Sequence, residues 1–418
     1  MSMWLSCVHH IHKELLMPGY EVIGEEEKAE VLDVLSRGVL FRYEFHEKRQ
    51  GIYKVEQFEK AFAEYCGVRH ALAVSSGTAA LKVALAALGI GPGDEVITQG
   101  FTFVATWEAI LDAGAIPVFA EIDDTLCLDP YDLTARITPR TKAIIPVHMC
   151  GAQARIAEIL EVADRHGIPV IEDTAQACGG RLGGKSLGTF GKMGVLSFDS
   201  VKTLTTGEGG MLVTDDRDLY RRASEYHDHG HDHDPDVGRG LEKRSFIGAN
   251  FRMMELQGAL GLAQLRKLDS IILPRQRENK RRMKEALSEI RGISFRTIPD
   301  AEGDTATFLI FLLSTEDRVR AFSRIMTEEG ATAIYWYDNS WHYYERWEHL
   351  LEGKSLLQSG YPFRTEVGDM RCRYPSSALP RTAEWLSRAL TIPINIHMDK
   401  EIPVILRAIG KARKVLDA

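Results

Sequence analysis

Two residues carry the strongest chemical signal in the sequence, Lys202 and Asp173. Lys202 lies in Ser197-Phe198-Asp199-Ser200-Val201-Lys202-Thr203-Leu204-Thr205-Thr206-Gly207-Glu208-Gly209-Gly210. That stretch begins as a strand, runs through small polar residues and ends in a glycine cluster before the strand Met211-Leu212-Val213-Thr214. A lysine held between a strand end and a tight turn can form a Schiff base with a carbonyl; the competing reading is a solvated lysine in a hairpin loop. Asp173, in Ile171-Glu172-Asp173-Thr174-Ala175-Gln176-Ala177, falls at the C-terminal end of a buried strand, where open α/β sheets bind ligands. A carboxylate there either caps the next helix or pairs with a protonated pyridine nitrogen, an ion pair that keeps the ring cationic and working as an electron sink. The two residues end successive strands and face one crevice. The chemistry this predicts is that of pyridoxal 5'-phosphate carried by Lys202.

Such a cofactor needs a seat for its phosphate. Ser75-Ser76-Gly77-Thr78-Ala79-Ala80 joins a strand to a helix, and a helix start binds anions through its free N–H groups and its dipole. Gly77 allows close approach and Thr78 adds a hydroxyl; a plain Ser/Thr cap is the alternative. No Gly-Lys-Ser/Thr follows, so this is not a P-loop. Three further stretches are ambiguous. Leu40-Phe41-Arg42-Tyr43-Glu44-Phe45 reads equally as packing with an ion pair or as an active-site lip. Ile247 to Gln257 reads as a surface turn and cap. Tyr226 to Asp234 alternates four histidines, His227, His229, His231 and His233, a composition that can bind metal; Gly230 and Pro235 argue instead for a solvated loop trimming the site, and no metal is expected.

The elements that must position these residues follow from hydrophobic pattern. From Ala71 onward short apolar runs alternate with helical segments: 71–74, 95–98, 116–120, 141–147, 170–172 and 195–198 as strands, with helices to Leu88, over 103–113 and over 155–166. This repeated βα pattern predicts a mostly parallel sheet covered on both faces. Amphipathic helices are predicted over 23–38 and 55–65, an alanine-rich helix over 255–268, and a basic helix over 274–290 bridging to a smaller α/β domain. That domain holds a strand over 307–313 and helices over 319–329 and 399–415. The division expected is a leading disordered extension over 1–16, a large domain over 17–270 and a small C-terminal domain over 271–418.

Composition bounds the class. The chain has 418 residues, a net charge of −8, 44% hydrophobic and 26% charged residues, those of an ordinary globular protein. The negative charge argues against a nucleic-acid surface. No run of apolar residues is long enough to span a membrane. Six cysteines are scattered without zinc-site spacing, which points to a reducing, cytoplasmic setting.

Taken together, the ordered stretches resemble the sugar aminotransferases of the DegT/StrS family, closely over residues 20 to 300 and loosely beyond. The resemblance rests on Ser76-Gly77-Thr78-Ala79-Ala80-Leu81, Gly91-Pro92-Gly93-Asp94-Glu95-Val96, Phe101-Thr102-Phe103-Val104-Ala105-Thr106, Glu172-Asp173-Thr174-Ala175-Gln176-Ala177, the Lys202 to Gly210 segment and Asn250-Phe251-Arg252-Met253. It implies the fold type I architecture of pyridoxal-phosphate enzymes, working as a homodimer with shared active sites. By that resemblance Lys202 is the Schiff-base lysine and proton shuttle, and Asp173 pairs with the pyridine nitrogen. Gln176 contacts the ring near its hydroxyl, and Phe103 stacks on the ring. Gly77, Thr78 and Ser197 hold the phosphate, and Asn250 reaches the phosphate of the neighbouring subunit. Some dehydratases of the family carry histidine in place of the lysine; Lys202 favours transamination from glutamate or glutamine to a keto or aldehyde sugar. A sugar dehydratase and a non-catalytic cofactor-binding regulator are the alternatives. Asp199-Ser200-Val201 and Met149-Cys150-Gly151 depart from the commonest family pattern. The Leu40 to Phe45 stretch, the histidine loop and Trp336 to His342 resemble the branch that aminates C8 of an octulosonic acid. On that reading Arg42, Tyr43, Arg239 and Arg244 are the candidate substrate residues, the arginines suiting a carboxylate.

Overall fold

Seven short apolar runs form the central sheet: β1 His70–Val74, β2 Glu95–Gln99, β3 Ile116–Ala120, β4 Thr141–Ile145, β5 Ile171–Asp173, β6 Met193–Ser197 and β7 Gly210–Thr214. A computed structural model describes residues 18–234, 236–365, 368–369 and 374–416; the extension expected over 1–16 lies outside the described residues. Ladders give the orders β1-β7-β6-β5 and β3-β2-β4. Parallel bridges Ile144↔Val170 and Val147↔Asp173 join β4 to β5, so the sheet reads β1-β7-β6-β5-β4-β2-β3. Strand β7 alone runs antiparallel, to both β1 and β6. The expected mostly parallel sheet is therefore present, with one reversal at the point that matters. That reversal makes β6 and β7 the arms of a hairpin, and Lys202 lies in the connection between them.

The register sets the site. In the parallel β5–β6 pair, Asp173 stands opposite Val195, so Asp173 and the chain leaving Ser197 emerge at the same C-terminal edge. Helices cover both faces. Helix α1 spans Glu25–Arg37, α2 Lys54–Cys66, α3 Gly77–Leu88 and α4 Ala105–Asp112. In α3 the apolar residues Ala79, Ala80, Leu81, Val83, Ala84 and Leu85 are all buried in one cluster with Leu72, Val96, Ile145 and Val195. Helix α5, Ile156–His166, packs on the opposite side through Ile156, Ile159 and Val162, and α6 spans Arg217–Tyr226. The glycines of α7, Glu255–Lys267, permit close helix packing: a Cβ at Gly258 would stand 2.6 Å from Val55 N, and one at Gly261 would stand 2.6 Å from the Phe58 ring.

Helix α7 runs through a π-helical turn, Leu268–Ile272, into α8, Leu273–Ser288. The basic helix expected over 274–290 is α8, continuous with α7 through that turn. The buried face of α8, including Met283 and Leu287, seats a smaller antiparallel sheet of β8 Ser294–Phe295, β9 Phe308–Leu312 and β10 Ala389–Pro393. Helices α9, Glu316–Glu328, and α10, Glu401–Leu416, cover it. The segment between α9 and β10 returns to the large sheet. Trp336, Tyr343, Tyr344 and Trp347 share a core with Ile97, Phe119 and Ile144, and the Trp347 ring lies 5.3 Å from that of Trp107. No described helix is long and apolar enough to cross a membrane.

Candidate active site

The loop carrying Lys202 is fixed by its own small polar residues. Phe198 N–H donates to Gly209 O at 2.8 Å and Thr206 N–H donates to Phe198 O at 2.9 Å. The Thr205 hydroxyl reaches Phe198 O at 3.2 Å and accepts from Gly207 N–H at 3.0 Å. Lys202 N–H closes a turn on Asp199 O at 3.0 Å, and Lys202 O accepts from Gly19 N–H at 3.2 Å. Thr205 and Thr206 thus pin the main chain around the lysine, and Thr203, Thr205 and Thr206 are all buried. Burial pushes the Lys202 amine below its ordinary value, against the attraction of Asp199, Asp173 and Cys150. A larger unprotonated fraction at neutral pH makes it a better nucleophile.

Asp173 is buried at the end of β5. Its Oδ1 accepts from Ala175 N–H at 3.1 Å and its Oδ2 from the Thr106 hydroxyl at 2.9 Å. Thr102 and Thr106, one turn apart, share a hydrogen bond of 2.8 Å. Burial raises the Asp173 pKa more than these donors and the nearby Lys202 and His148 lower it. Among the described residues no cation forms an ion pair with Asp173, so a buried carboxylate stands ready for one.

The neighbouring Glu172 has another task. Its Oε1 accepts from Phe190 and Gly191 N–H at 2.6 and 2.7 Å, and its Oε2 from Gly188 N–H at 2.9 Å. Buried His148 accepts from Ala154 N–H at Nδ1, 3.1 Å, so its proton sits on Nε2 and is donated to Glu172 Oε2 at 3.0 Å. His148 N–H also holds Asp173 O at 3.0 Å. Of these, Thr106 and His148 were not singled out from the sequence as site residues. The four-residue spacing of Thr102 and Thr106 at a helix start was the available sign.

Gln176 Oε1 accepts from Cys150 N–H at 3.0 Å. Cys150 and Gly151 take positive φ, 57° and 82°, and a Cβ on Gly151 would stand 2.1 Å from the Thr307 hydroxyl. This explains the unusual Met149-Cys150-Gly151: the turn is squeezed against the C-terminal region. Arg296 reaches across from there and donates to Met149 O and Cys150 O at 2.8 and 2.7 Å. Phe103 is half-buried, with His342 and Trp341 rings 5.3 and 5.8 Å away.

At the same edge Ser76 caps α3, accepting from Ala79 N–H at 3.0 Å. Gly77 and Thr78 head that helix, where N–H groups lack intrahelical partners. A Cβ on Gly77 would stand 2.7 Å from Ser197 Cβ, and one on Gly210 2.3 Å from Ser76 O. Glycine is thus required for the helix start to sit against Ser197, and the result is a cradle of donors suited to a phosphate.

The remaining predicted residues lie in a separate group. Arg42 is buried, donating to Glu59 at 2.6 Å and to Ala73 O at 3.0 Å. Arg239 grips both oxygens of Asp228 at 2.9 Å, and Arg244, exposed, lies 3.8 Å from Glu242. Each arginine therefore already faces a carboxylate. With Tyr43 and His233, Arg42 and Arg239 line a cleft of about 710 Å³. The histidine tract is packed more tightly than a solvated loop: His227, Asp228 and His231 are buried, because Arg239 and Arg252 both converge on Asp228. His227 donates from Nδ1 to Ser224 O and accepts from the Tyr43 hydroxyl at 3.2 Å. Among the described residues no three potential metal ligands come together. Asn250 is exposed and accepts from Arg252 N–H at 3.3 Å.

Comparison with known proteins agrees with this geometry. The chain is 45% identical over 229 residues to GDP-perosamine synthase of Caulobacter vibrioides, 53% of this chain and 59% of that protein. It is 44% identical over 246 residues to L-glutamine:2-deoxy-scyllo-inosose aminotransferase of Streptomyces kanamyceticus, 57% of this chain and 58% of that protein. The chain thus matches somewhat under two thirds of either relative. The solved structure of NtdA from Bacillus subtilis with bound cofactor PMP superposes with a TM-score of 0.77 at 25% identity, covering 96% of this chain and 86% of that one. Residues 21–360 match the model of the DegT/DnrJ/EryC1/StrS aminotransferase family, and the chain belongs to that family.

Proposed function

We propose that this chain is a pyridoxal-phosphate-dependent aminotransferase that moves an amino group from glutamate or glutamine to a keto or aldehyde sugar. The observation that carries this reading is the placement of Lys202 and Asp173 at one sheet edge, the lysine with a depressed pKa and the buried aspartate in no ion pair among the described residues. Pyridoxal 5'-phosphate, when bound, supplies a carbonyl for the amine and an electron sink for the pair released at the substrate carbon. The residues present fit it. Asp173 offers the carboxylate that a pyridinium nitrogen needs. Gly77, Thr78 and Ser197 offer the phosphate cradle, and Phe103 offers an apolar face. Gln176, held by the 149–151 turn, is placed for the ring hydroxyl.

Lys202 Nζ is the group that takes and returns a proton at the substrate carbon. Thr106 and Ala175 keep the Asp173 carboxylate aimed. The 8-oxo-octulosonates are the first acceptors to assay, on the strength of the Leu40 to Phe45, His227 to His233 and Trp336 to His342 stretches. With Arg42 and Arg239 engaged internally, Arg244 is the most available of the three arginines for a substrate carboxylate, with Tyr43 lining the cleft nearby. A homodimer, with Asn250 reaching the partner's phosphate site, and the division at residues 270 and 271 complete the reading. The free buried thiols of Cys66, Cys127, Cys150 and Cys178 support a cytoplasmic setting. Replacing Lys202 with alanine tests the core of it: turnover of glutamate with a keto sugar is lost while cofactor still binds, and normal turnover by Lys202→Ala refutes the assignment.

A further inference from the structure

Residues 341–344 lie antiparallel along the Phe101 to Val104 loop. Val104 N–H donates to Trp341 O at 2.9 Å, Thr102 N–H to His342 O at 3.0 Å, and Tyr344 N–H to Gly100 O at 3.0 Å. Asn339 Oδ1 accepts from both Trp341 N–H and His342 Nδ1, each at 2.9 Å. The main chain on either side of Trp341 is therefore fixed, yet the residue is 63% exposed, its ring beside that of Phe103. The contact with Asn339 places the His342 proton on Nδ1 and leaves Nε2 an acceptor. Burial and the nearby Lys202 keep that imidazole neutral.

We propose that Trp341 and His342 form the acceptor half of the site, the indole stacking on the apolar face of a sugar ring or keto cyclitol and His342 Nε2 accepting from one of its hydroxyls. This rests on the aminotransferase reading above. An amino-acid donor presents carboxylates, and neither an indole nor a neutral acceptor nitrogen meets one. A polyhydroxylated ring presents a C–H face and O–H donors, which match both residues. Both rings also lie against Phe103, so a ring held by them stands beside the reacting centre.

The test titrates holoenzyme with two carbonyl acceptors, an 8-oxo-octulosonate and 2-deoxy-scyllo-inosose, and reads tryptophan fluorescence. The chain has six tryptophans, so the Trp341 signal is the difference between wild type and Trp341→Phe. At least one probe quenches that signal. Trp341→Ala raises KM for the quenching acceptor roughly five- to tenfold, and Trp341→Phe, which keeps an aromatic face, restores it. His342→Phe raises KM similarly, and His342→Gln, which keeps an acceptor, recovers most of it. Loss of the visible cofactor band on adding glutamate slows less than acceptor turnover does in Trp341→Ala and His342→Phe. The proposal is overturned if no probe quenches Trp341 or if Trp341→Ala slows the glutamate step as much as acceptor turnover. A change of mass in solution in Trp341→Ala also overturns it, by showing the indole covered by a second copy. A wild-type protein without the visible band sinks the aminotransferase reading instead, and a probe quench kept there leaves the sugar platform standing.

Discussion

The central carboxylate works through its donors. Thr106 and Ala175 each give Asp173 one hydrogen bond, and hydrogen bonds to charged groups contribute about 1.5–3 kcal/mol. Thr106→Val should therefore weaken cofactor binding by roughly tenfold or more, measured as cofactor retained on dialysis, with Thr106→Ser restoring it. Asp228 makes the clearest pH prediction. Burial alone raises its pKa, but Arg239 and Arg252 outweigh burial and hold the carboxyl well below the usual range. A depressed pKa contributes stability that is fully present above about pH 4, the ordinary aspartate value, and is lost as pH falls through the folded value. Thermal melts should thus show wild type losing stability below pH 4, while Asp228→Asn is less stable at pH 7 by about 3 kcal/mol and has a flatter acid limb. At this scale the sequence was informative where chemistry imposes a residue type. Residue type singled out Lys202, Asp173 and Gly77, and the fold brings them to one sheet edge. It did not single out Thr106, His148 and Arg296, because their roles arise from contacts between segments far apart in the chain.

Among the elements, the sheet edge is legible and its supports are not. Strand-and-helix alternation located every central strand to within a few residues, since buried parallel strands read as short apolar runs. The reversal of β7 entered only with the hairpin-loop alternative for Lys202, because the apolar run Met211 to Val213 reads alike in either direction. The 149–151 turn was visible only as a departure from pattern; its cause, the Thr305 and Thr307 hydroxyls and the Arg296 guanidinium, comes from the C-terminal region. Arg296→Ala leaves two buried carbonyls without these donors and loosens the turn that holds Gln176. It should lower cofactor affinity more than it lowers the melting temperature relative to Arg296→Lys; equal losses would mark Arg296 as a stability residue alone. Gly77→Ala, by contrast, forces the helix start off Ser197, and should abolish cofactor retention without unfolding β6.

At the scale of the whole molecule, the two regions share one aromatic core. Trp347 packs on Trp107 and Phe119, and truncating a buried tryptophan costs about 3–5 kcal/mol. Trp347→Ala should therefore lower the melting temperature as one transition and also reduce activity, because residues 341–344 lose their support beside Phe103. Composition foretold an ordinary globular chain without foretelling this shared core, since aromatic residues near 336–347 carry no periodicity that names their partner. The most direct test of the account is the visible absorbance of the purified protein, supplied with pyridoxal phosphate, before and after adding glutamate and then glutamine. A lysine-linked cofactor band that in Lys202→Ala gives way to the band of the free aldehyde, and that in wild type fades with one of these donors, is the predicted result. A wild-type protein that shows no band, or a band that persists with both donors, contradicts the claim that Lys202 and Asp173 form an aminotransferase site.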